Sequence, residues 1–300
     1  MDYISLLFLG LIGYPMIKRK IDEYKKGDSQ IIRVPFNGQI GNAGPKDYAP
    51  GPTTPQGLEK ILKGLEENNR VKGIILDISS GGGEAGASKT IYDLVRKVKK
   101  PKVAYVNSLC ASGAYMTACG CDEIIVAEDA LIGSIGVIMN KFVVKELMEK
   151  IGVKLEVIKS KEEKDFMSMF RELRPEERQH LEYLVKRHHE RFVNLVYESR
   201  QEKAGDRMTK SQLEGYANGY VWDGIDAAKM GLVDRTGTLR TAIKSCEKRG
   251  NFKNTYVGTL MVQNPSFFGR MFSHFGYSIG KGFADKIEET ITTKNNIHYE

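Results

Sequence analysis

What this sequence has little of already narrows its function. It holds four cysteines in 300 residues: Cys110, Cys119, Cys121 and Cys246. A chain of this length buries a core without disulfide staples, so they are expected to be reduced and mostly buried. Cys119 and Cys121 stand one residue apart in an apolar run, and no second pair carries metal-ligand spacing, which argues against zinc. Histidine is also scarce. The five, His180, His188, His189, His274 and His298, have no conspicuous acidic partner at a strand end, so a Ser-His-Asp triad has little support. The 45 basic and 38 acidic residues are interleaved, without a basic stretch set among aromatics, so nucleic acid is not an expected partner. No internal repeat is present, and one catalytic domain is the economical count.

Uncharged apolar runs are short as well. Residues 3–17 carry no charge but are interrupted by Gly10, Gly13 and Pro15, and fall short of the roughly 20 residues that span a bilayer comfortably. Lys18, Arg19, Lys20, Lys25 and Lys26 follow the run, whereas a secretory signal carries its positive charges in front. By the positive-inside bias, a short anchor of this polarity leaves the following domain on the cytoplasmic side. Residues 1–29 are therefore read as an N-terminal apolar segment and basic linker that associates the chain with a membrane. The other reading is an apolar segment buried against the domain or a partner subunit.

What is present from residue 30 onward is an alternation of short β-rich runs and helical stretches, the pattern of an α/β fold with a parallel sheet and crossover helices. Strands are expected at 31–34, 71–78, 101–106 and 122–127. Residues 42–55, rich in Gly and Pro, read as a loop. Helical spacing is seen at 54–69 and again through Ile91, Leu94, Val95 and Val98. Past Ile138 the chain is more charged and is expected to be helical, with a long amphipathic helix over 175–202 opened by Pro175, Glu176 and Glu177. A strand-turn-helix pattern over 220–233 and a helix over 239–248 close a domain of residues 30–249. The aromatics and glycines of residues 250–300 mark a C-terminal tail, read either as partly amphipathic and docking on a membrane or a neighbour, or as mobile.

Two features carry chemistry. Ser112 follows a strand and opens an apolar helix, among Ala111, Gly113 and Ala114, where a substrate carbonyl can approach. Serine at such a position is ordinarily a cap. Here the amide of Gly113 also points at the oxyanion that attack by Ser112 would create. Gly81-Gly82-Gly83, at the end of another parallel strand, offers a backbone that can pass close to a ligand. A serine hydroxyl needs a base. With histidine poorly placed, a lysine whose ammonium is desolvated or faces polar groups can serve.

Gly81-Gly82-Gly83, Ala111-Ser112-Gly113, Gly133-Ser134-Ile135-Gly136-Val137, and Lys164-Asp165 ahead of Arg171 and Pro175-Glu176-Glu177 resemble, in this order and spacing, the motifs of signal peptide peptidase A. The resemblance covers residues 31–237. It implies the ClpP/crotonase-like fold and a Ser-Lys serine endopeptidase, with Ser112 as nucleophile, Lys164 as base, Gly82 and Gly113 as oxyanion donors, and Ser134 orienting the lysine amine. It implies apolar peptide substrates such as remnant signal peptides, no metal or organic cofactor, and a homo-oligomer whose active sites are shared between subunits. Ser80 stands where the family usually has proline, Ala114 where a second glycine often follows the serine, and Met169 where proline is common. Lys161 is the rival base. Two other readings share the fold: a crotonase-type acyl-CoA enzyme, and a non-catalytic membrane scaffold.

Overall fold

A computed structural model of the protein describes residues 30–42, 53–253 and 255–260. The apolar run at 3–17, most of the loop expected at 42–55 and the whole of the tail from 261 lie outside the described residues.

The two most apolar strand runs are the centre of the fold. In β2 (Val71–Ser80) and β3 (Lys102–Ala111), residues facing both ways are buried, which is why these runs read as continuous rather than alternating. Parallel pairs join β1 (Gln30–Asn37) to β2, and β2 to β3. Alternate side chains serve two layers. Ile74, Leu76 and Ile78 meet the main core with α1 (Pro55–Glu67) and α2 (Ala85–Lys97), whereas Ile31, Ile75 and Val103 meet Ala242 and Cys246 of another helix, Leu239–Gly250. Thr54 caps α1 by accepting from the Gly57 amide, with Pro55 next to it.

The sheet forks along β3. Val103–Val106 pair with β4 (Glu123–Val126), while Leu109–Ala111 pair with β5 (Leu131–Gly133). Between β3 and β4 in the chain lies α3 (Gly113–Cys119), every residue of which is buried. β5 continues antiparallel to β6 (Val221–Trp222), and β4 continues parallel to β7 (Arg235–Thr236). The far edge is β8 (Tyr256–Thr259), paired with β1. That strand lies beyond residue 249, where the sequence pattern had closed the domain, so the sheet draws its edge from the segment read as tail.

β1, β2 and β3 run further than the hydrophobic pattern predicts, and β3 extends past residue 106 to Ala111, which carries the chain directly to Ser112. The expectation of helix past Ile138 holds only from α5 (Pro175–Ala204) onward. Between 137 and 174 the chain has only α4 (Lys145–Lys150) and a 3₁₀ turn, Glu162–Asp165. Its apolar side chains find little of this chain to pack on: Ile138, Phe142 and Ile158 are 83%, 80% and 95% exposed. After α5 come α6 (Lys210–Tyr216), α7 (Gly224–Lys229) and α8, the helix Leu239–Gly250. Among the described residues no helix is long and apolar enough to cross a membrane.

Candidate active site

The nucleophile candidate sits at the open end of the fork. Ala111 pairs with Gly133, and the next residue, Ser112, turns to φ 53° and ψ −124°, donating its amide to the Gly133 carbonyl at 2.7 Å. Its carbonyl accepts from Met116 at 3.0 Å as α3 begins. A positive φ at a non-glycine residue costs about 1–3 kcal/mol and persists only where the surroundings impose it. Although Ser112 is the N-cap residue, its side chain makes no cap hydrogen bond. The ordinary reason for serine at this position is therefore missing. The strained strand-to-helix turn leaves Ser112 half-buried, its hydroxyl without a hydrogen-bond partner among the described residues.

Two glycine positions are enforced by close approach. At Gly82 (φ +91°) a Cβ would stand 2.6 Å from the Gly113 amide nitrogen and 2.9 Å from the Ser112 Cβ. At Gly113 it would stand 2.1 Å from the Ser88 Oγ. The two proposed oxyanion-hole segments are thus packed backbone to backbone beside the serine. The Gly82 amide, however, donates to the Ser80 Oγ at 3.1 Å, and that hydroxyl donates to the Gly38 carbonyl at 2.5 Å. Serine in place of proline at position 80 supplies an acceptor that occupies one expected donor. Gly83, which sequence reasoning left unassigned, is exposed, and its amide has no acceptor among the described residues. Only the glycine triplet itself hinted at this.

Ser134 is the residue after Gly133 and has φ 49°; its amide donates to the Tyr220 carbonyl at 2.7 Å. Ser112 and Ser134 therefore emerge side by side from paired strands. Lys164 lies on the 3₁₀ turn Glu162–Asp165, exposed, and its amine makes no hydrogen bond or ion pair among the described residues. Within one chain, then, Ser112, Ser134, Gly82 and Gly113 come together, and no bond links Lys164 to them.

Other titratable groups are committed elsewhere. Lys159 donates to the Glu162 carbonyl at 3.0 Å and the Asp165 Oδ1 at 3.2 Å, and Glu162 and Asp165 hold its amine above the ordinary lysine range. That suits a fixed cation, not a base. His189 donates through Nε2 to the Ala217 carbonyl at 2.8 Å, and His180 stands edge-on to Phe166. All four cysteines are free and buried, as expected. Burial pushes the thiols of Cys119 and Cys121 up to about 11 and about 12, which removes them as nucleophiles.

The closing segment holds α3, the helix that follows Ser112, from behind. Tyr115 donates its hydroxyl to the Leu232 carbonyl at 2.6 Å. Arg200 of α5, fully buried, donates through Nε to the Gly231 carbonyl at 3.1 Å and through Nη1 to Asp234 at 2.9 Å. Burial pushes the Asp234 carboxyl up, but the Arg200 charge outweighs this and holds it below the ordinary range.

Comparison with known proteins gives the chain a family. The profile of Peptidase family S49 matches residues 95–253, which hold Ser112, Ser134 and Lys164, and that of Clp protease matches residues 54–130, which hold the glycine triplet. A protein of Methanocaldococcus jannaschii named as a protease is 35% identical over 75% of this chain and 71% of its own length. A protein of Enterococcus faecium named as signal peptide peptidase SppA is 31% identical over 77% of this chain and 66% of its own. Among solved structures, a serine-to-alanine mutant of the 1510-N membrane-bound stomatin-specific protease superposes with a TM-score of 0.53 at 16% identity, over 79% of this chain and all of that one. The fold is thus ClpP-like. Sequence profile and relatives agree that the chain belongs to peptidase family S49, as a serine peptidase.

Proposed function

We propose that the chain is a serine endopeptidase working through a Ser112–Lys164 dyad on extended apolar peptides, remnant signal peptides among them. The observation that carries this reading is Ser112 held at positive φ, without a capping role, directly beside the Gly82–Gly113 contact. Neutral Lys164 takes the proton of the Ser112 hydroxyl as Oγ attacks the peptide carbonyl carbon. The Gly113 and Gly82 amides stabilise the resulting oxyanion. Gly82 must leave Ser80 to do so, and a charged acceptor outcompetes a neutral hydroxyl because charge-assisted hydrogen bonds are roughly twice as strong. The C–N bond then breaks, the protonated lysine delivers its proton to the leaving amine, and a water activated by the same amine hydrolyses the acyl-serine. Ser134, beside Ser112, orients the amine.

Assembly completes the site in this proposal. Lys164 has no bond to its own Ser112, and the arm that leads to it exposes Ile138, Phe142 and Ile158. A second copy that covers this arm brings its lysine to a neighbouring serine, giving a homo-oligomer with shared active sites. Residues 1–29 associate the assembly with a membrane, and the tail that follows β8 docks on a membrane or a neighbour.

The test is cleavage of casein and a short apolar peptide, together with labelling by a serine-reactive fluorophosphonate. Wild type is expected to cleave and to label, and Ser112→Ala and Lys164→Ala each to abolish turnover with the fold intact. Comparable turnover in either variant removes that residue from the mechanism. Absence of labelling in an assembled wild type would favour an acyl-CoA enzyme or a scaffold.

A further inference from the structure

We infer that Arg171 is a positioning residue for Lys164: its guanidinium clamps the carboxylate of Asp165, the residue after the lysine, onto Glu177 in the first turn of α5. The inference rests on the Ser-Lys reading above and specifies what holds the base in place.

The geometry is a double fork. Arg171 Nε and Nη2 each donate to the Asp165 carboxylate at 2.9 Å, one to each oxygen. Its Nη1 and Nη2 donate to Glu177 at 2.8 and 2.6 Å. Only a planar guanidinium can serve two carboxylates bidentately in this way; an ammonium is a single point charge. Glu177 in turn accepts from the Arg174 amide at 3.0 Å and from the Arg174 Nη2 at 2.6 Å. The other end of the lysine turn is fixed as well, because Arg174 donates to the Glu162 carbonyl at 3.1 Å and pairs with its carboxylate. The 3₁₀ turn Glu162–Asp165 is therefore tied at both ends to the start of a helix of 30 residues. Lys164, inside the turn, is the one cation among Lys159, Lys164, Arg171 and Arg174 that takes no part.

Why should so many charges converge on an exposed arm? A bidentate network of this kind stabilises the arm more than isolated surface pairs would, and it also fixes the turn that carries Lys164. That placement matters to catalysis, because a base displaced by about 1 Å can lose roughly 100-fold in rate. The arm has no strand and only one short helix between 137 and 174, so hydrogen bonds, not packing, set the lysine's place. Arg171 and Arg174 hold the Glu177 carboxyl well below the usual range, and Arg171 and Lys159 do the same for Asp165, so the clamp stays charged at any pH at which a lysine could be neutral.

The experiment uses the assembled fraction of full-length protein and measures kcat and KM on an apolar peptide, with the rate of Ser112 labelling by fluorophosphonate as a second readout. Arg171→Gln and Asp165→Asn are each expected to lower kcat and the labelling rate about 100-fold with KM within about twofold. Arg171→Lys is expected not to restore them. In a Lys164→Ala background, Arg171→Gln should change the remaining labelling rate by less than about twofold, since no base is left to position. The inference is overturned if Arg171→Gln keeps wild-type kcat while Lys164→Ala is inactive. It is equally overturned if Arg171→Gln and Asp165→Asn both fail to fold or assemble, which makes the cluster a structural one, or if Arg171→Gln slows labelling further without Lys164. If instead Lys164→Ala turns over normally, the Ser-Lys reading itself fails.

Discussion

Ser112 and Ser134 stand one residue beyond the Ala111–Gly133 pair, at the carboxyl ends of two parallel strands, and both have positive φ, 53° and 49°. Two L-residues in a region suited to glycine, side by side, are not an accident of one loop. The Ser112 amide holds the Gly133 carbonyl and the Ser134 amide holds that of Tyr220, both at 2.7 Å, so each turn is imposed by the strand next to it. The strand fork presents two hydroxyls at the edge of the sheet.

The strain at Ser112 is measurable. Replacing it by glycine relieves about 1–3 kcal/mol of conformational cost while adding about 0.5–1 kcal/mol of lost chain entropy. Ser112→Gly is therefore expected to be inactive yet more stable than Ser112→Ala, by about 1 kcal/mol, or roughly 2–4 °C in Tm. Alanine keeps the strained φ. Scanning calorimetry on the two variants checks this, and equal melting temperatures would show that the turn is not strained.

Gly82 and Gly86 make a matched pair of opposite sign. A Cβ at Gly82 meets the Gly113 amide nitrogen at 2.6 Å on a backbone with φ +91°, whereas one at Gly86, in α2, meets open space. Gly82→Ala is expected to cost about 2–3 kcal/mol and, by displacing an oxyanion donor, to lower kcat about 100- to 1,000-fold. Gly86→Ala should stabilise by about 0.5–1 kcal/mol with activity unchanged. Urea denaturation and peptide turnover on both variants give the comparison.

These residues also show what was legible in advance. Long apolar runs bounded by Gly and Pro identify β2 and β3 because burial on both faces demands such composition. Ser112 and the glycine triplet stood out because small residues at strand ends are chemically conspicuous. The polar end of β3 was missed: Asn107 and Ser108 break the apolar pattern, yet the strand continues by exchanging β4 for β5 as its neighbour. The bond between Ser80 and Gly82 depends on a local turn that composition does not report. The arm at 137–174 misled because apolar and charged residues in mixture suggest an amphipathic helix, whereas its apolar side chains lie on the surface.

Asp234 links pH to stability. Its Oδ2 accepts from the Ile124 amide at 2.7 Å and from the buried Arg200 at 2.9 Å, and the Arg200 charge holds its pKa below the unfolded value near 3.9. A depressed carboxylate contributes stability that is fully present above its unfolded pKa and is lost as pH falls through the folded one. Asp234→Asn is expected to cost about 3–5 kcal/mol at pH 7, because it leaves Arg200 buried and unpaired. Its urea midpoint should then fall less steeply than that of the wild type as pH drops below about 4. Parallel acid profiles would mean that Asp234 does not contribute through this pair.

Assembly is the last point open to test, and the arm offers the handle. Phe142 and Ile158 are 80% and 95% exposed, and neither belongs to the described core. If a second copy covers them, as proposed, a charge at either position must be buried without a partner, which the interface will not tolerate. Phe142→Asp and Ile158→Asp are therefore expected to sediment as folded monomers with unchanged circular dichroism, to lose peptide cleavage, and to regain it in mixtures with Ser112→Ala only where mixed assemblies form. The logic of the mixture is directional. A Ser112→Ala chain supplies an intact Lys164 and an intact arm, so a shared site reappears where that lysine faces the Ser112 of an arm variant. Variants that remain fully assembled and active would place the contact surface elsewhere. Active monomers would show instead that Lys164 reaches the serine of its own chain.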